Sequence, residues 1–179
     1  MAGVDDVYML MARGEDDSPR LWIHRWEMSY PLSFPFVARK GESWRQWADA
    51  LNDGMEMLGD GDPGFVLVGH GLGANALAGW CYAAGIDKQR RVLGAVLVSP
   101  SKSNWPEDEA HPLNRARANF PAYVVTARRD PDCPLPWAKS LAANFGARHI
   151  EAPYELNMND SLKGWQWGMR LVQHIILDR

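Results

Sequence analysis

Five consecutive residues carry the strongest chemical signal in the sequence: Gly69-His70-Gly71-Leu72-Gly73. They follow the apolar run Phe65-Val66-Leu67-Val68 directly and lead straight into a helical stretch. Two chemistries use such a strand-turn-helix junction. In the first, a Gly-x-Ser-x-Gly turn is sharp enough to lift a serine nucleophile clear of a sheet, and small residues at its ends let strand and helix approach closely. Gly69 and Gly73 fit that role, and the N–H of Leu72 stands where an oxyanion donor belongs, but the centre is Gly71 rather than serine. In the second, Gly-x-Gly-x-x-Gly/Ala cradles a dinucleotide, matched here by Gly69, Gly71 and Ala74. That fingerprint belongs after a first strand, with an acid about 20 residues further on. Here the junction follows roughly the third strand, and the next strand ends in Ser99-Pro100, so nucleotide binding is the lesser reading. A glycine-rich turn of purely structural use is a third.

No other group supplies the missing nucleophile or its base. Ser99 and Ser101 flank Pro100 at a strand end, where polar residues are expected in any case. Cys81 falls in the helix after the turn and reads as core. Cys133 lies in Asp130-Pro131-Asp132-Cys133-Pro134, with no histidine in the neighbourhood that would activate it. Of the five histidines, His70 lies inside the turn and is expected to pack against neighbouring strands or loops. His149 falls on a short strand, His24 in an N-terminal loop, His174 in the last helix, and His111 after the acidic Glu107-Asp108-Glu109 run. Asp130 reads equally as a catalytic acid or as the first residue of an Asp-Pro turn. A hard cation on Asp130, Asp132 and Glu155 has only spacing in its favour. No metal and no cofactor are expected.

The elements that must position these residues alternate along the chain. Val7 to Met11, Phe65 to Val68, Val92 to Val98 and Ala122 to Thr126 are continuous apolar runs, the pattern of parallel strands covered on both faces. Phe34 to Ala38 and Ala147 to Ile150 are shorter strand candidates. Between them, Ser43 to Leu58 has Trp44, Trp47, Leu51, Met55 and Leu58 at helical spacing, with Ser43 as its cap. Leu72 to Ala84 is a helix expected to stop at Gly85, Leu135 to Phe145 one that stops at Gly146, and Leu162 to Leu177 closes the chain. Strand-helix alternation implies a three-layer α/β/α sandwich with a mostly parallel sheet and right-handed crossovers. The 179 residues, 46% hydrophobic and 23% charged, suit one domain over 1–179. A net charge of -3 with dispersed arginines argues against nucleic acid, and no apolar run is long enough for a membrane helix. With no basic flank at the N-terminus and two cysteines without ligand spacing, a reducing cytoplasm is the expected location.

These features together resemble the small single-domain serine hydrolases of the retinoblastoma-binding protein nine and YdeN type. The stretch Phe65 to Gly73 is similar to that family's apolar strand followed by Gly/Ala-His-Ser-Leu-Gly, and Leu97-Val98-Ser99-Pro100 to its fourth strand. Asp130 to Pro134, followed by Ala138, Leu141, Ala142 and Gly146, is similar to its acid loop and following helix. Trp22, Trp26 and Trp47 fall where the family tends to place tryptophans, and Trp165 with Gly168 fits its Trp-x-x-Gly. The resemblance implies an α/β-hydrolase fold without a lid domain and a Ser-Asp-His triad in that chain order. Carried over by position, the nucleophile falls on Gly71, the acid on Asp130 and the base on Glu155, so only the acid survives. The segment Arg13 to Trp22 also departs from the family's Pro-Gly loop, which puts the second oxyanion donor in doubt. The expectation is a non-catalytic protein that binds a small molecule in the old cleft or a protein partner. Two carboxylates there would favour a cationic or neutral polar ligand, unless Arg128, Arg129 or Arg20 folds in to pair with them and closes the cleft. A repurposed hydrolase using Asp130, Glu155 or Cys133 with water is the alternative, and nucleotide binding the second.

Overall fold

The computed structural model describes residues 7–15, 17, 19, 21–58, 64–152 and 165–178. Its elements, in chain order, are β1 (Tyr8–Gly14), α1 (Trp22–Ser29), β2 (Ser33–Ala38), α2 (Trp44–Met57), β3 (Phe65–His70), α3 (Leu72–Gln89), β4 (Val92–Val98), α4 (Pro112–Arg115), β5 (Ala122–Thr126), α5 (Leu135–Phe145), β6 (Arg148–Glu151) and α6 (Gln166–Leu177). The six strands form one sheet in the order β2-β1-β3-β4-β5-β6, and every pairing is parallel.

The apolar strands are continuous because both faces of the sheet are covered. Successive residues point to opposite faces: Leu10, Leu67, Ala95 and Leu97 pack under α2, α3, α4 and α5. Met9, Met11, Val66, Val68, Val96 and Val98 pack under α1 and α6. The result is the expected three-layer α/β/α sandwich. The buried face of the α1 and α6 layer is built on indoles: Trp22 sits against Trp26 and Trp165 at 4.7 and 4.5 Å between ring centroids. Among the described residues, no helix is long and apolar enough to cross a membrane.

Capping signals mark the helices that the sequence makes legible. The Ser43 hydroxyl accepts from the Gln46 N–H, and the Gln46 side chain accepts from the Ser43 N–H, a reciprocal cap that starts α2. Gly146 ends α5 in the left-handed region at φ 84°. Two expectations need correction. The stretch around His24 is the helix α1 rather than loop, and its N-cap residue Leu21 makes no side-chain cap. Gly85 does break α3, at φ 63°, but a further helical turn follows the kink as far as Gln89. The expected helix start at Leu162 lies outside the described residues.

Strand order decides where a site belongs. From β1 the chain moves to one side for β2 and returns to the other side for β3. The crevice at such a reversal opens beyond the carboxyl ends of the two diverging strands. Those ends are Gly14 and His70.

Candidate functional site

The junction after β3 has the geometry of a nucleophile elbow. Gly71 takes φ 57° and ψ -126° between strand and helix, its N–H donates to the Val98 carbonyl, and its own carbonyl accepts from the Ala74 N–H. Gly69 and Gly73 are glycine because there is no room for anything else. A Cβ on Gly69 would stand 2.8 Å from Ala74 Cα, and one on Gly73 would fall into the backbone between Ala12 and Arg13. Gly71 is different. A Cβ there meets only one atom within 4 Å, Asp17 Oδ1, at 3.7 Å. The slot that a nucleophile would fill is open, and φ alone favours glycine.

Asp17, on the loop between β1 and α1, closes over that slot. Its Oδ2 accepts from the Gly14 N–H at 3.0 Å and lies 3.0 Å from His70 Nδ1. An ionised carboxylate can only accept, so Nδ1 is the nitrogen that carries the hydrogen. His70 is only 7% exposed, and its ring stands edge-on to Trp22. It therefore packs as expected, with a charged partner that sequence reasoning missed. The next loop N–H, on Glu15, donates to the Ala38 carbonyl. The Gly14 and Glu15 N–H groups beside the elbow are thus engaged, and a carboxylate stands next to them. The acidic run Glu15-Asp16-Asp17 immediately after Gly14 was the available signal.

Asp130 and Asp132 enter from the loop after β5. Asp130 Oδ1 accepts from the Asp132 N–H at 3.0 Å, so Asp130 serves the turn that begins at the Asp-Pro pair. Asp132 accepts from Ser101 Oγ at 2.6 Å and from the Ser103 N–H at 2.9 Å. Burial pushes the Asp132 carboxyl up, but the Ser101 and Ser103 hydrogen bonds and the Lys40 charge outweigh it and hold the group below the usual carboxylate range. Ser101 is itself fixed by the buried Asn75 of α3, which donates to its carbonyl and accepts from its N–H. One cleft of about 350 Å³ brings together Gly71, Leu72, Asp17, His70, Asp130 and Asp132. Glu155 lies outside the described residues.

The remaining candidates stand elsewhere. His111 caps α4 by accepting from the Leu113 N–H. His149 Nε2 lies 2.8 Å from Thr126 Oγ1, and burial, then the Lys139 charge, lowers its pKa against an opposing push from Glu151. His24 lies 3.9 Å from Glu27, and His174 pairs with Asp178 at 2.9 Å. Among the described residues, no three His, Cys, Asp or Glu side chains are grouped to hold a metal. Cys81 and Cys133 are buried and unpaired. Burial, and then the charges of Asp130 and Asp132, pushes the Cys133 thiol up to about 12. A thiol held so high is protonated at neutral pH and is no nucleophile. Iodoacetamide at neutral pH should therefore alkylate Cys133 at least about a hundredfold more slowly than a free cysteine, until denaturant exposes it. Fast labelling of the folded protein, located by mass spectrometry, would contradict this.

The family described as serine hydrolase matches residues 9–174. No curated protein matches the sequence. Among solved structures, the chain is similar to a protein described as a YdeN-like hydrolase from Pectobacterium atrosepticum, with a TM-score of 0.73 and 18% identity over 95% of this chain and 90% of that one. It is also similar to the ydeN gene product of B. subtilis, with a TM-score of 0.68 and 14% identity over 95% and 98%. A third likeness is to a monoacylglycerol lipase of Paleococcus ferrophilus, with a TM-score of 0.64 and 12% identity over 96% and 95%. At these identities the structural likenesses establish the α/β-hydrolase fold.

Proposed function

The chain belongs to the serine hydrolase family, and from that premise we propose that it is a non-catalytic member that keeps the cleft as a binding site. The observation that carries this reading is the Asp17 carboxylate, 3.7 Å from where the Cβ of a nucleophile on Gly71 would stand. Acyl transfer by a serine hydrolase builds negative charge on the carbonyl oxygen beside the elbow, and the site must supply hydrogen-bond donors to it. The Asp17 carboxylate opposes that developing charge where a donor is needed. Gly71 brings no nucleophile, and the position that the resemblance assigns to the base holds Glu155. The scaffold is nevertheless intact, with its elbow, its parallel sheet and an open cleft of about 350 Å³.

Two rival readings find less support. A repurposed hydrolase has no thiolate to use, because Cys133 stays protonated. A nucleotide at the first turn of α3 would set its phosphates against Asp17. The two buried, unpaired cysteines suit a reducing cytoplasm.

The test is direct. The purified protein should not be labelled by a fluorophosphonate and should hydrolyse p-nitrophenyl esters no faster than buffer. Saturable hydrolysis that persists in a Cys133→Ala/Asp130→Asn variant would overturn the reading.

A further inference from the structure

We infer that the elbow holds a carboxylate-binding site which the protein fills with its own Asp17, an autoinhibitory contact that an external carboxylate replaces only when the Asp17 side chain is displaced. The inference rests on the binding role proposed above and names the chemistry that the filled part of the cleft accepts.

A bound carboxylate is already in place there. Two N–H donors from neighbouring strand ends, Gly14 N–H of β1 and His70 Nδ1–H of β3, converge on Asp17 Oδ2 at 3.0 Å each. The Gly14 contact is local, but the His70 contact joins residues 53 positions apart, and both side chains are largely buried. A carboxylate only accepts and both groups only donate towards it, so the match is complete, and the charge strengthens it. The start of α3 adds to the field. A Cβ on Gly14 would stand 3.9 Å from both Asp17 Oδ2 and the Leu72 nitrogen, which brings the carboxylate near the positive end of an 18-residue helix.

The donors belong to the sheet and the carboxylate to a loop. Gly14 is in register with Ala38 of β2, His70 with Val98 of β4, and the His70 ring stands edge-on to Trp22. Both donors are therefore held by elements other than the loop that carries Asp17, and they stay aimed at the same point when its carboxylate is removed. Left unmet, they would carry the cost of buried donors without partners. Asp17 Oδ1 faces the space over Gly71, part of the cleft of about 350 Å³, so a small acid in the place of Asp17 has room for its body. Tethering gives Asp17 the advantage of effective concentration over any acid in solution. Glu15, Asp130 and Asp132 line the same cleft and also oppose a second anion. An external carboxylate thus binds weakly, and only after Asp17 has gone.

The probe is formate, the smallest carboxylate, and the test variant is Asp17→Ala, which removes the internal occupant and keeps both donors. Full-length wild type and variant are titrated with sodium formate, against sodium chloride at matched ionic strength. Thermal unfolding and ¹⁵N NMR of the His70 ring follow the titration. In Asp17→Ala, about 200 mM formate should raise the unfolding midpoint by about 3 °C beyond chloride and shift the Nδ1 resonance saturably. In the wild type it should do neither. Asp17→Asn, which keeps the space filled and an oxygen on the donors, should not respond. Asp17→Ala/His70→Phe should lose the response of Asp17→Ala. If Asp17→Ala does not fold in chloride, folding restored by formate supports the inference, and continued unfolding counts against it. An Asp17→Ala protein that answers formate no more than chloride, a wild type that answers equally, or a response untouched by His70→Phe would overturn it. No readout here is turnover. Ester hydrolysis by the wild type would therefore remove only the non-catalytic reading, and a missing formate response only this inference.

Discussion

A Gly73→Ala substitution should lose about 3–5 kcal/mol of stability, enough to leave a marginally stable domain largely unfolded. The added methyl would fall into the peptide between Ala12 and Arg13. That peptide belongs to β1, which is held on one side by β2 and on the other by β3. Nothing flexible can move aside, because the obstacle is backbone in the middle of a paired sheet. Urea titration of the variant should show a large fall in midpoint, or no cooperative transition at all. Gly71→Ala, two residues away, should cost only about 1–2 kcal/mol, because its methyl meets nothing closer than Asp17 Oδ1 and pays in φ alone. A Gly73→Ala loss below about 1 kcal/mol would mean that α3 does not approach β1 as closely as the structure places it.

The contrast between those two glycines explains why the fold was legible in the sequence. Gly69 and Gly73 are fixed by contact between strand and helix, and such contact depends on residue size, which a sequence displays. The strands were legible for a similar reason: Met9-Leu10-Met11 and Val96-Leu97-Val98 are apolar at every position because each residue meets a helix on one face or the other. Ser43 and Gln46 announced α2 through chemistry that acts over three residues. Where local signals were missing, the reading failed. Helix α1 begins at Trp22, after the uncapped Leu21 and without an acid in its first turn. It is held instead by Trp22, Ile23 and Trp26 packing on a distant face of the sheet.

The site was legible only in outline, and the reason is again distance along the chain. Gly71 and Asp130 line one cleft. Asp130 also braces its own turn, so its presence by itself says little about catalysis. The decisive neighbour is Asp17, which meets His70 from 53 positions away along the chain. Nothing in the composition of either segment announces that pairing. The loop's acidic run was visible, but which of its members turned inward depended on the Gly14 N–H and on His70 at the end of β3.

That neighbour governs what happens when the missing nucleophile is restored. Gly71→Ser alone should remain inactive toward p-nitrophenyl esters and unlabelled by fluorophosphonate, although the slot accommodates the side chain. The new hydroxyl would face Asp17 Oδ1, the one atom near its Cβ. A carboxylate cannot take the imidazole's part of accepting the serine proton and then donating it to the leaving group. Its charge would also oppose the anion formed on the substrate. Adding Glu155→His, at the position the resemblance gives to the base, should raise turnover above either single change but leave that opposing charge in place. Adding Asp17→Asn as well should raise it again, since an amide can donate where the carboxylate could only repel. The expected order is therefore single, double, triple, with the largest gain in the last step if Asp17 is the main obstacle. A Gly71→Ser protein that turned over esters readily would mean that a working base already stands beside the elbow and that Asp17 does not block the oxyanion.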